Sequence, residues 1–364
     1  MRNESMKSDV EHEKASYNST PDRILFLDSF RAMAIIMVVG AHTMGYCIPL
    51  QYNQKEVISF VVYTITVPIF FLVDGYLFAW RTTLSKKNNY FKNVQKNFSR
   101  LLVPWVIFTV LYTVLRFCFE ISGILEDKAI VGHSLKEVAI SAYGSVYAPQ
   151  MYFLFSLFLI RLFEPVFKIF ALVKNYFFIL SLFFCYYAAY RSSITFISPF
   201  LEIDGGQEPI LHALWGVQYY LFGIICFKTS KIVDLHKLFV PFLLLFLVAL
   251  LIQGSLEPVG FALVQYLYLT TAFLFFVLFG KRLHFLDIIG QNTMGIYLIH
   301  TPVVLKGVAL LLNQFIIIPI WSFLSVFFCT FLLTIFIVIA INYTSYGALL
   351  FGTPNNKHKF LSDK

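Results

Sequence analysis

Apolar stretches of membrane-spanning length alternate with short polar breaks along almost the whole chain. Ten can be counted, at about 25–46, 57–80, 101–119, 150–164, 170–190, 210–227, 238–254, 259–279, 288–309 and 316–342. A helix rising ~1.5 Å per residue crosses a ~30 Å hydrocarbon core in ~20 residues. The pattern therefore predicts an all-α integral membrane protein of about ten transmembrane helices. Turn formers mark the breaks: Lys-Lys-Asn-Asn at 86–89, Asp-Gly-Gly at 204–206 and Gly-Ser at 254–255. The longest break, 120–149, carries polar residues that suit a short amphipathic piece. Residues 1–22 are polar and charged and read as a disordered tail, 23–350 as the membrane domain, and 351–364 as a second tail. With no apolar core of a cleavable signal before it, the first span is expected to be an uncleaved helix.

Composition agrees with the pattern. Of 364 residues, 59% are hydrophobic and 13% charged, against about 25% charged in a soluble domain; mean hydropathy is +0.74. The net charge of +8 changes the picture only when its position is considered. With the amino terminus inside, the tails and the loops on that side hold 21 Lys and Arg, and the opposite loops hold 6. Basic residues favour cytoplasmic loops, so both termini are expected to be cytoplasmic. The same logic assigns the basic excess to lipid headgroups and not to nucleic acid. Five cysteines with no Cys-x-x-Cys pair exclude a disulfide framework and a zinc site of that kind.

Candidate chemistry sits where polar groups enter apolar runs. The first span, Leu27–Gly45, contains Arg31 and His42 with Asp28 at its lip. Eleven residues are close to three helical turns, so Arg31 and His42 share a face about 16 Å apart along the axis. Asp28 lies one turn before Arg31 and can pair with it. A guanidinium in hydrocarbon costs at least ~2.5–3.5 kcal/mol; Arg31 therefore needs a protein interior, a wet cavity or an anion. Asp74, beside Gly75 in the second span, is equally out of place in lipid and either pairs with Arg31 or Arg81 or orients a ligand. Before the third span, Lys92, Lys96 and Arg100 are a headgroup anchor or a phosphate-binding mouth. Tyr152 opens the fourth span. In the ninth, Thr293, Tyr297 and His300 follow at helical spacing and either glue helices together or meet a ligand. No metal-ligand spacing, Gly-x-Ser-x-Gly elbow or Walker loop is present.

Four of these stretches carry a resemblance. Leu27-Asp28-Ser29-Phe30-Arg31 with His42 eleven residues on, VPIFFLVDGYL, MYFLFSLFLI and GQNTMGIYLIH together resemble the acyltransferase-3 family of integral membrane O-acyltransferases. The likeness runs over most of the chain from Leu27 onward. Three departures stand out. Asp74 replaces the family's usual Ser before Gly, Asn97-Phe98-Ser99-Arg100 replaces Arg-x-x-Arg with Lys96 beside the missing arginine, and Met151-Tyr152 replaces Leu-Trp. The resemblance implies transfer of an acyl group, most often acetyl from acetyl-CoA, to a hydroxyl of a cell-envelope glycan such as capsule, O-antigen, exopolysaccharide or a lipid-linked precursor. It implies the stand-alone form in a bacterial cytoplasmic membrane, with acyl-CoA as donor substrate and no bound cofactor. On that basis His42 and Arg31 are the catalytic candidates. Arg100, Lys96 and Asp28 would serve the donor; Asp74, Tyr297, His300 and Tyr152 would line the acceptor side or a polar tunnel. The alternatives are a glycan or lipid transporter, which would release no CoA thiol, and a non-catalytic partner in polysaccharide assembly.

Overall fold

The computed structural model describes residues 24–84, 89–125, 127–201, 208–252, 259–344 and 346–352. The expected tail 1–22, almost all of 351–364, and the turns at 204–206 and 254–255 lie outside them, as does most of the turn at 86–89. The described helices are α1 (Leu25–Thr43), α2 (Tyr52–Tyr63), α3 (Thr66–Leu84), α4 (Tyr90–Asn97), α5 (Val103–Ile121), α6 (Leu135–Tyr143), α7 (Tyr152–Leu162), α8 (Glu164–Leu172), α9 (Tyr176–Leu201), α10 (Pro209–Thr229), α11 (Phe239–Ile252), α12 (Val259–Phe279), α13 (Phe285–Gln291), α14 (Thr293–Ile299), α15 (Leu305–Leu312), α16 (Pro319–Asn342) and α17 (Gly347–Phe351). Among the described residues nine helical stretches are long and apolar enough to cross a membrane, and Pro149–Leu162 is a shorter apolar one. These ten correspond one to one with the ten apolar segments. The described residues include no β-strand. The molecule is a multi-pass, all-α integral membrane protein.

The first span is also the centre. In α1, 72% of the spanning window is buried in protein, against 11% for α9. The start of α1 is fixed by Ser29, whose hydroxyl donates to the Gly280 carbonyl at 2.9 Å. Beyond its far end, the Ile48 N–H donates to Ser322 Oγ at 3.0 Å, and Asn313 Nδ2 donates to the Tyr46 carbonyl at 2.9 Å. α10 packs most extensively against α3. A Cβ at Gly75 would collide with the Tyr220 backbone, and one at Gly223 with the backbone of Leu72. Small residues let two membrane helices approach to backbone contact where lipid supplies no hydrophobic drive. That crossing places Asp74 against α7 and α10.

Two of the spans carry a π-turn at a proline. Pro104 has no N–H for the Arg100 carbonyl, and Phe98–Leu102 is a π-turn joining α4 to α5. Pro302 likewise leaves the Leu298 carbonyl without its α-helical donor. His300–Val304 is a π-turn in which Thr301 is extended (φ −133°, ψ 155°). Irregular backbone at membrane depth survives only when its polar groups are satisfied internally. Here Tyr112 OH donates to the Leu298 carbonyl, and Gln150 Nε2 donates to the Thr301 carbonyl at 2.7 Å. Tyr112→Phe should therefore strand a buried carbonyl and cost about 1–3 kcal/mol. A lowered unfolding temperature in nanodiscs would register it; an unchanged one would show that water or another donor serves that carbonyl.

The amphipathic piece expected in 120–149 is α6, opened by a capping box between Ser134 and Glu137. The Ser134 N–H and hydroxyl hold the Glu137 carboxyl below the usual carboxylate range. The loop before α6 is folded onto Glu120, whose buried carboxylate accepts the Ala129, Ile130 and Val131 N–H groups and Arg116 Nε.

Candidate active site

Of the residues expected on the basic side, Arg31, Lys96 and Arg100 lie around one end of the bundle. The start of α1 brings Arg31, the end of α3 brings Arg81, the π-turn after α4 brings Arg100, the end of α7 brings Arg161, and α17 closes with Phe351 and Gly352. Two adjoining cavities lie among them. One, of about 190 Å³, is lined by Arg31, Asp74, Arg100, Arg161, Tyr297 and neighbouring polar and apolar residues. The other, of about 440 Å³, is lined by Arg81, Lys96, Arg100, Arg161, Asp74 and Glu164 among others. Together the two walls carry five cations against two carboxylates. Arg81, Lys96 and Arg100 are exposed, and Arg31 and Arg161 half-buried. Gly352 has φ +60° and sits so close to the Arg100 carbonyl that a Cβ would overlap it, so only glycine closes this wall.

Arg31 pairs with Asp28 at 3.6 Å as the one-turn spacing predicted. Asp74 does not pair with Arg31 or Arg81, the partners considered from the sequence. Its carboxylate is forked by Arg161, with Nε donating at 2.8 Å and Nη2 to the other oxygen. Arg161 Nη1 also donates to Asn97 Oδ1 at 2.8 Å. Asn97, standing where the resembling family has arginine, thus orients one. Arg161 is not singled out by the sequence, because it stands at the end of a short span. The signal available was Asp74 itself, since an intramembrane carboxylate demands a cation at its own depth.

From this cleft a polar line leads towards the other face. Tyr297 lines the smaller cavity, its hydroxyl donates to the Gln150 carbonyl, and its ring lies 6.2 Å from that of His300. The His300 ring is in turn 5.2 Å from His42. α14 and α1 thus bring together two histidines 258 positions apart in the chain. His300 Nδ1 faces the Ile296 carbonyl at 3.0 Å, while its Nε2 is buried with no hydrogen-bond partner among the described residues. A carbonyl at Nδ1 selects the tautomer protonated there and leaves Nε2 a lone-pair acceptor. His42 is partly exposed, on the last turn of α1, and is not among the residues lining the Arg31 cavity. Arg31 and His42 are therefore linked through Tyr297 and His300, where the sequence suggested one open passage. Thr293 lines the cavity but donates back to the Gly290 carbonyl at 2.8 Å. Tyr152 stands apart from both cavities, its ring 4.0 Å from that of His212. Among the described residues no group of three or more His, Cys, Asp or Glu could hold a metal.

The profile of one protein family, described as an acyltransferase domain, matches the chain over residues 24–343. Searches of curated proteins and of solved structures found no match.

Proposed function

We propose, from the premise that this chain belongs to the acyltransferase domain family, that it transfers an acetyl group from acetyl-CoA to a hydroxyl of a cell-surface glycan or its lipid-linked precursor, in a bacterial cytoplasmic membrane. The observation that carries the donor half is the cleft of five cations against two carboxylates at the basic end of the bundle. Arginines and lysines suit the phosphates of a CoA thioester, arginine through its planar fork. A long arm between phosphates and thioester matches the ~16 Å that separates Arg31 from His42 along α1.

In this reading His42 is the general base. It takes the proton of the acceptor hydroxyl as the oxygen attacks the thioester carbonyl. The carbon–sulfur bond breaks as the carbon–oxygen bond forms, and the departing thiolate receives the proton as CoA thiol. His300, its ring 5.2 Å from that of His42 and its Nε2 lone pair unpartnered among the described residues, is placed to accept from the imidazolium formed as His42 takes up the proton. Tyr297 stands on the route from the cleft. Arg31, Arg100 and Lys96 hold the donor, and Asp28 holds Arg31.

The test uses the full chain in nanodiscs with acetyl-CoA and an envelope glycan fraction. Free thiol should appear only with acceptor present, in step with acetylated glycan. Arg100→Gln should raise the donor KM about tenfold, the scale of one lost charge-assisted contact, and leave the acceptor KM unchanged. A carrier would bind or move glycan without releasing thiol, and that result would end this reading.

A further inference from the structure

A third cavity, of about 600 Å³, shares no lining residue with the cationic cleft and is bounded by α2, α9, α10 and α12. We infer that it binds a sugar ring, and is the place where the acceptor glycan docks. The docking role rests on the acyltransferase reading; the sugar-binding property does not.

Its size falls within the ~300–1,000 Å³ of small-molecule sites, which are mainly apolar and aromatic with a few placed polar groups. The aromatic part comes from Tyr63, Tyr187, Tyr190 and Trp215. An aromatic face is the negative pole of a quadrupole, and the C–H-bearing face of a pyranose presents the complementary slightly positive surface. The polar part is two buried or half-buried amides. Gln265 is locked: its Oε1 accepts from Tyr219 OH at 2.8 Å, and its Nε2 donates to the Thr64 carbonyl at 2.7 Å. Gln218 is only 3% exposed, and its Oε1 accepts from Tyr266 OH at 2.8 Å. Its NH2 makes no hydrogen bond among the described residues although it lines the cavity. A hydrocarbon occupant would leave that donor stranded, at a cost of about 1–3 kcal/mol. A sugar hydroxyl would satisfy it. Arg191, exposed where α9 outlasts its apolar run, supplies a cation at the rim.

The cavity is tied to the His42 end of α1 through Tyr63. Tyr63 OH donates to the Ala41 carbonyl at 2.9 Å, one residue before His42. The bend between α2 and α3, at Thr64, is the same backbone that Gln265 holds. A ring seated here lies beside the His42 end of α1, on the face that charge asymmetry assigns to the outside.

The experiment uses the full chain in nanodiscs, with glucose, galactose, N-acetylglucosamine and glucuronic acid as probes and tryptophan emission as readout. At least one sugar should quench emission saturably, and Trp215→Phe should abolish that quenching. Gln218→Leu, which preserves size, should weaken it about tenfold. Should Gln218→Leu fail to fold, Arg191→Gln and Tyr190→Ala at the rim provide the same comparison. Saturable quenching by none of the four sugars, or quenching by dodecanol in their place, would overturn the inference. Thiol release with an acceptor KM unaltered in every one of these variants would overturn the docking role alone and keep the acyltransferase reading. Sugar binding without thiol release would do the reverse.

Discussion

Replacing His42 by alanine is expected to lower the turnover of acyl transfer by about 10²–10⁴, the range of a lost general base, with donor binding and thermal stability intact. The stability half follows from position. His42 is partly exposed on the last turn of α1, and its ring touches His300 but fills no core position. His300→Ala should cost less turnover, because it removes the group that holds the base and leaves the base in place. The double variant should be no slower than His42→Ala, since residues acting as one unit lose their effect together. Turnover measured as thiol release, with acetyl-CoA binding measured separately on the same protein, decides the matter. A fully active His42→Ala protein would remove the base assignment, and an additive double variant would separate the two histidines.

The number of spans and the central place of α1 could be read from the sequence because both follow from burial. Apolar runs of ~20 residues have only one way to satisfy their backbone in lipid, and a span that carries Arg31 and His42 must face protein. Span edges were less legible. α9 runs to Leu201, past the apolar segment that ends near 190, and Ser192 stays within it with its hydroxyl bonded to the Ala188 and Ala189 carbonyls. Hydropathy marks the edge of the membrane and not the end of the hydrogen-bond ladder. The His42–His300 contact was hidden for a different reason. Helical spacing predicted that Thr293, Tyr297 and His300 share a face, but the π-turn starting at His300 and the extended Thr301 end regular phase there. The partner of Asp74 was hidden because Arg31, Arg81, Arg100 and Arg161 all arrive at one depth. Composition cannot choose among four guanidiniums; the tight α3–α10 crossing does.

That choice has consequences that separate support from binding. Asp74 is buried at 7% side-chain exposure and Arg161 is at 20%. Removing one member of a buried ion pair costs about 3–5 kcal/mol because the other stays desolvated and unpaired. The partial exposure of Arg161 to the cavities puts this pair near the lower figure. Asp74→Asn and Arg161→Gln should each destabilise the protein by roughly 3 kcal/mol, and the double variant by less than the two added together. The effects on the donor should differ in sign. Asp74→Asn takes a negative charge from a wall of five cations and two carboxylates, so the donor KM should fall or stay level. Arg161→Gln takes a cation from the same wall and should raise it about tenfold. Thermal unfolding in nanodiscs and donor KM on the same preparations test both halves. If Asp74→Asn weakened the donor as much as Arg161→Gln, the carboxylate's hold on Arg161 would outweigh the negative charge it brings to the wall, and the predicted difference in sign would fail.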